Sequence, residues 1–174
     1  MRRQILDSEY RSGVEAAESA SMSRVIHPRF DPVARSFDSI TDAQWHVAWE
    51  DPLRATIVEM QAAFHAGVRR IVVVLPTTAM SGGACYAHTA AAAEGIRVLV
   101  KSAARQWGSS GVTVNAVAVR PDDILDDPSV AGPSSLAPGA LATSDAAALI
   151  EFLCSDMSAD VTGQTIVVDG GVWM

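Results

Sequence analysis

"SGGACYAHTAAAAEGIRVLVKSAARQWGSSGVTVNAV", residues 81–117, settles the architecture. Ile96, Leu99, Val100, Ala103 and Trp107 recur at spacings of three and four, so a helix from about Cys85 to Trp107 carries an apolar stripe. Gly108 follows and supplies a stop. The period then changes. "VTVNAVAV" from Val112 is a strand, and "RRIVVVLP" from Arg69 is another, rich in β-branched residues and apolar on both faces, as an interior strand of a parallel sheet is. Tyr86 stands on the first turn of the helix, with Ala90 four residues later.

The same alternation extends in both directions. Towards the N-terminus, "TDAQ" reads as a capping box in which Thr41 caps and Gln44 reaches back. Trp49, Leu53, Ile57, Met60 and Phe64 then form the stripe of a helix from Asp42 to Ala66, ending near Gly67. "SRVIHP" is a short strand closed by Pro28, and a loop runs from there to Ile40. Towards the C-terminus, "RPDDILDDPSVAGPSSLAPGALA" is rich in Pro, Gly, Asp and Ser and reads as a long, mobile loop. "SDAAALIEFLCSD" is a short helix and "QTIVVDGG" a last strand. Helices alternating with strands argue for an α/β domain with a parallel sheet.

Composition narrows the function classes. A chain of 174 residues, 49% apolar, suits one globular domain. Its net charge of -7 comes with no basic stripe, which argues against nucleic acid. "MRRQILDSEYRS" lacks the apolar core of a signal peptide and no run reaches the length of a membrane span, so a cytoplasmic location is expected. Cys85 and Cys154 are far apart with no CxxC pairing, which suits free thiols. His27, His46, His65 and His88 show no ligand spacing, so packing or surface roles are expected and no metal. Asp122, Asp123, Asp126 and Asp127 read as a solvated loop rather than a cation site. Trp45, Trp49 and Trp107 read as helix-packing or interface residues.

The tail "EFLCSDMSADVTGQTIVVDGG" and the strand–helix–strand unit from Arg70 to Val119 resemble the short-chain dehydrogenases/reductases, over roughly Val25 to Gly171. The resemblance implies a doubly wound, Rossmann-like parallel sheet with NAD(P) at the carboxyl ends of its first strands, and assembly into dimers or tetramers. The departures are as informative. Dinucleotide binding needs a glycine-rich turn after the first strand, and before Gly67 the chain has only Gly13. If "SRVIHP" matches the family's fourth strand, too few residues precede it for two βα units. The expectation is a single truncated domain, with residues 1–24 a remnant of the nucleotide half ("MRRQILD" a strand, "GVEAAESA" a helix) and residues 25–174 resembling the catalytic half. The family's Asn-Asn-Ala-Gly segment is "VIHP" here, and its Pro-Gly beside the nicotinamide is Val119-Arg120.

The family's site uses a tyrosine as acid/base, a lysine four residues on, a serine at the preceding strand end and an asparagine on the earlier helix. Alignment on Tyr86 puts Ala90 at the lysine, Pro76 or Thr77 at the serine, and Pro52 at the asparagine. An unassisted phenol, with a pKa of about 10, is ionised in roughly one molecule in a thousand at neutral pH, and the lysine's charge is what lowers that pKa. The single lysine, Lys101, lies fifteen residues along the helix, about 22 Å away at about 1.5 Å per residue. His88, two residues from Tyr86, is expected on another side of the helix. Tyr86 is thus a vestigial candidate and no confident catalytic residue, bound cofactor or metal is expected in this chain.

The function this implies is a non-catalytic subunit of a hetero-oligomeric, NAD-dependent dehydrogenase. It would keep the family's assembly helices and pair, as a heterotetramer, with a full-length paralogue that holds NAD and acts on a hydroxyacyl-CoA. In organisation this is similar to the inactive subunit of hetero-oligomeric members such as (hydroxybenzyl)succinyl-CoA dehydrogenase. Two alternatives stand beside it. One is a cofactor-independent lyase with Tyr86 as acid and Asp122 or Asp123 as base, and the other a small-ligand binding module using the vacated cleft.

Overall fold

The computed structural model describes residues 23–131 and 145–171. The expected strand "MRRQILD" and helix "GVEAAESA" lie outside the described residues. Within them, β1 (Ser23–Ile26), β2 (Arg70–Pro76), β3 (Thr113–Val119) and β4 (Thr165–Val168) form one parallel sheet in the order β1-β2-β3-β4. Ser23 pairs with Arg70 and Arg70 with Thr113, so β1, β2 and β3 start level, β4 joins three residues on with Thr165 opposite Ala116, and all four carboxyl ends face one edge. Every residue of β2 and β3 is buried, as an apolar run flanked by strands on both sides requires.

Side chains alternate between the two faces. Ile71, Val73, Leu75, Val114 and Ala116 meet one helical layer, while Val72, Val74, Val117 and Val119 meet the other. The first layer consists of α1 (Asp42–Trp45), a π-helical turn (His46–Glu50), α2 (Asp51–His65), α3 (Thr78–Ser81) and α4 (Ala87–Trp107). The second contains α5 (Asp145–Cys154), through Ala146, Ile150 and Leu153. This is the doubly wound, Rossmann-like α/β arrangement expected.

The expected helix from Asp42 is opened by the Thr41/Gln44 capping box but is not continuous. Pro52 has no N–H for the carbonyl of Ala48, and its ring would press on that carbonyl, so one residue is inserted and Asp51 N donates to His46 O instead. Ala48, Pro52, Thr56, Met60 and Ala63 form the buried face. Trp49, Leu53 and Phe64 flank it, and Ile57, placed by sequence in the stripe, is 36% exposed. Leu53 is turned towards α4, where a Cβ added at Gly95 would lie 3.1 Å from Leu53 Cδ2. Small residues, not the bulky ones, let these helices approach.

The long helix ends at Trp107 with Gly108 as its C-cap, where the glycine was expected to stop it; Gly108 is still right-handed, at φ -57, and the chain reverses at Gly111, φ 76, after a 3-10 turn. Trp107 stacks on Phe64 (ring centroids 4.6 Å apart, interplanar angle 14°), so of its two expected roles it takes the helix-packing one and closes α2 against α4.

Candidate functional site

In a doubly wound sheet the strands' carboxyl ends are where ligands gather. Here the ends of β1, β2 and β3 lead into three segments: 27–41 after β1, the turn at Thr77 after β2, and 120–131 after β3. Segment 120–131, read as part of a mobile loop, is ordered into 3-10 turns at Pro121–Asp123 and Pro128–Val130, with Leu125 and Ala131 buried. Asp126 N donates to Pro32 O at 2.8 Å, which joins the two outer segments directly. The apolar residues Ile124 and Leu125, spaced unevenly among prolines and aspartates, give no periodic signal that would place them in a core.

Tyr86 lies beneath this junction. It is the residue preceding α4, with φ -125 and ψ 26, rather than a residue of the first helical turn. Cys85 before it has φ 63, and that left-handed residue turns the chain into the helix. The Tyr86 side chain is fully buried beside Leu125 and Ala131. Its hydroxyl donates to Pro32 O at 3.2 Å and accepts from Asp127 N at 3.0 Å. Burial pushes its pKa up. The Asp127 amide opposes that shift, and the carboxylates of Asp127 and Asp126 add to it. A general acid/base needs the reverse shift and a free path to substrate.

The other aligned positions do not assemble around the phenol. Ala90 is half-buried, and its amide donates to Tyr86 O at 2.8 Å. Pro76 ends β2 and pairs with Val119. Thr77, buried, donates its backbone N–H to Val119 O at 2.9 Å, and its Oγ1 has no hydrogen-bond partner among the described residues. Pro52 lies buried at the start of α2 and accepts a 2.7 Å bond from Thr56 Oγ1. Lys101 is exposed.

His88 differs from the sequence expectation. Because Tyr86 is not helical, the two rings lie 6.2 Å apart rather than on separate sides. The imidazole is fully buried with neither nitrogen hydrogen-bonded, and Nε2 is 3.8 Å from Asp31 Oδ2. Burial lowers its pKa, against the pull of Asp31. Asp31, which nothing in the sequence singles out, is the hub of this corner. Its carboxylate accepts from Val33 N and Arg35 Nε, and its carbonyl accepts from Thr89 Oγ1 at 2.8 Å.

The remaining candidates are dispersed. His27, His46 and His65 are exposed, and His46 pairs with Glu50 at 2.8 Å. Asp122 is exposed and pairs with Arg120, while Asp127 Oδ1 accepts from Ser129. Among the described residues no group of three or more His, Cys, Asp or Glu is placed to hold a metal, and no helix is long and apolar enough to cross a membrane. Cys154 is buried and Cys85 half-buried, and neither is in a disulfide.

A family model described as enoyl-(acyl carrier protein) reductase matches residues 26–173. Among curated proteins, a probable 2,4-dienoyl-CoA reductase of Bacillus subtilis is 30% identical over 153 residues, covering 79% of this chain and 60% of that protein. The 3-oxoacyl-(acyl-carrier-protein) reductase of Salmonella typhimurium is 32% identical over 144 residues, covering 76% and 59%. A short-chain dehydrogenase/reductase of Armillaria gallica is 32% identical over 165 residues, covering 82% and 59%. The chain thus spans about three fifths of the length of these relatives. Of solved structures, acetoin dehydrogenase of Salmonella typhimurium aligns with a TM-score of 0.70 at 22% identity, covering 92% of this chain and 70% of that one. Levodione reductase aligns with a TM-score of 0.68 at 18% identity, covering 85% and 65%. With the sheet order, the helical layers and the matched length in agreement, the chain belongs to the short-chain dehydrogenase/reductase family.

Proposed function

We propose that this chain is a non-catalytic, cytoplasmic subunit of a hetero-oligomeric, NAD-dependent short-chain dehydrogenase, stabilising a full-length catalytic paralogue in a heterotetramer. The observation that carries the reading is the state of Tyr86. Its hydroxyl is buried and held by Pro32 O and Asp127 N, and the position four residues on, Ala90, offers no charge. Burial and the missing charge both move the phenol away from ionisation, and the Asp127 amide only partly opposes them. The strand ends do not fit a nicotinamide dinucleotide. Pro32 O and Asp126 N bridge the crevice, and Val119-Arg120 and "VIHP" stand where the family's cofactor-contacting segments align. In this reading NAD belongs to the partner. An acyl thioester such as a hydroxyacyl-CoA is the partner's substrate class, in keeping with the reductase names among the relatives.

The test has two arms. The isolated chain, titrated calorimetrically with NADH and NADPH, is expected to show no binding at micromolar concentrations. Co-expressed with a full-length short-chain dehydrogenase from the adjacent reading frame, it is expected to co-purify, with the Tyr86→Phe complex as active as the unmodified one. A working acid/base costs about 10²- to 10⁴-fold when removed. A loss of that size would replace the subunit reading with the lyase.

A further inference from the structure

We infer that His88 makes the cover over Tyr86 acid-labile: protonating this imidazole lifts residues 31–35 from the strands' carboxyl ends and uncovers Tyr86. The inference goes beyond the subunit reading and stands or falls without it. The imidazole is sealed from water and neither nitrogen makes a well-formed hydrogen bond, so a proton placed on it finds no solvent, and the backbone of Val33, itself part of the covering segment, offers only partial compensation for burial. The facing charges come from segment 27–41. Asp31 Oδ2 is 3.8 Å from Nε2, beyond hydrogen-bond reach, and that same oxygen already lies 2.9 Å from Arg35 Nη2 and accepts from Arg35 Nε. Arg35 itself repels a cation at this place. On α4's own side the neighbour is the Tyr86 ring, and Asp126 and Asp127 of segment 120–131 act on that phenol.

Two parts of the molecule could yield to a charged His88. Helix α4 runs 21 residues and is anchored in the core by Ala92, Ala93, Ile96 and Val100, so the imidazole cannot withdraw with its backbone. Segment 31–35 is thin, with Val33 41% exposed, and four of the hydrogen bonds that hold it cross to neighbouring segments. These run from Thr89 Oγ1 to Asp31 O, from the Tyr86 hydroxyl and Asp126 N to Pro32 O, and from Arg35 N to Cys85 O. It is the part of lower local stability, and its release frees Tyr86 and segment 120–131 together. The sign follows from the lowered pKa of the closed state. The cover is fully stable above the open-state value of about 6.5 and loses stability as pH falls below it. Each pH unit below that point multiplies the open fraction about ten-fold while the closed form stays neutral.

Amide exchange at pH 7.5 and 5.5, corrected for the intrinsic rate, tests this on the hydrogen-bonded amides of Val33, Arg35, Asp126 and Asp127. In the unmodified chain their protection is expected to fall about ten-fold at pH 5.5. In His88→Leu, which retains the exposed His27, His46 and His65, it is expected to stay constant. Equal protection at both pH values in the unmodified chain, or the same loss in His88→Leu, would overturn the inference. Should His88→Leu not fold, NMR titration of the unmodified chain decides. A His88 ring signal that shifts together with the loss of protection supports the switch, and a full titration near pH 6.5 with protection intact refutes it.

Discussion

Tyr86 keeps its place in the chain but its hydroxyl has become a structural tie, accepting from one loop and donating to another. Tyr86→Phe removes both bonds while Pro32 O keeps its bond from Asp126 N, so one backbone donor, Asp127 N, is left to find another acceptor. The expected cost is about 1–2 kcal/mol, read from urea unfolding at pH 7. Because burial raises the folded-state pKa of the phenol, its contribution is complete below about pH 10 and declines as pH rises through the folded value. The stability gap between the unmodified chain and Tyr86→Phe should therefore narrow in alkali. A gap that widens above pH 10 would show that the phenolate, and not the phenol, is the form the fold prefers. Sequence alone identified Tyr86, Ala90, Pro76 and Pro52 by alignment. It could not reveal Asp31 or the burial of His88, because both follow from a loop crossing α4's first turn, a contact between residues 58 positions apart for Asp31 and Thr89.

Among the helices and strands, periodicity carried most of the fold. The β-branched run at Arg70–Pro76 and the apolar positions Ile96, Val100 and Ala103 of α4 are buried where their spacing puts them. What periodicity missed has local causes: the register slip before Pro52, the delayed reversal at Gly111, and order in a loop whose composition signals only turns. Asn115 is a further case. It sits in β3, fully buried, and its side chain holds the turn before β4, with Nδ2 donating to Val161 O at 2.8 Å and Oδ1 accepting from Gln164 N at 3.1 Å. A polar residue in an apolar strand marks such a brace, but nothing in the sequence says what it braces. Asn115→Ala leaves two backbone groups unpartnered and is expected to cost about 2–4 kcal/mol, measured as a fall in the unfolding midpoint. An unchanged midpoint would mean that water replaces the amide at this turn.

Assembly turns on the apolar surface that remains after the whole chain has folded. Val47 (59% exposed), Val58 (57%) and Val98 (49%) stand out on the helical layer that buries Met60 and Ile96 against the sheet. Single exposed apolar residues are ordinary on a monomer. On helices of a family in which the subunit reading places a partner, they are the residues to charge. The stack of Trp107 on Phe64 makes Trp107→Asp a change to the fold rather than to an interface, so it is unsuited to the test. Val58→Asp with Val98→Asp is suited to it, since exposed sites tolerate substitution within about 0.5 kcal/mol. The isolated double variant should therefore unfold at nearly the midpoint of the unmodified chain. In a complex, each carboxylate would be desolvated without a counter-charge, and a total of about 3 kcal/mol corresponds to about a hundred-fold weaker retention of the full-length paralogue. Sedimentation of each form, alone and co-expressed with that paralogue, separates the cases. The unmodified chain is expected to travel with the paralogue and the double variant to be released from it. A chain that sediments as a well-behaved monomer and ignores the paralogue would remove the subunit reading, even with Tyr86 as buried as it is.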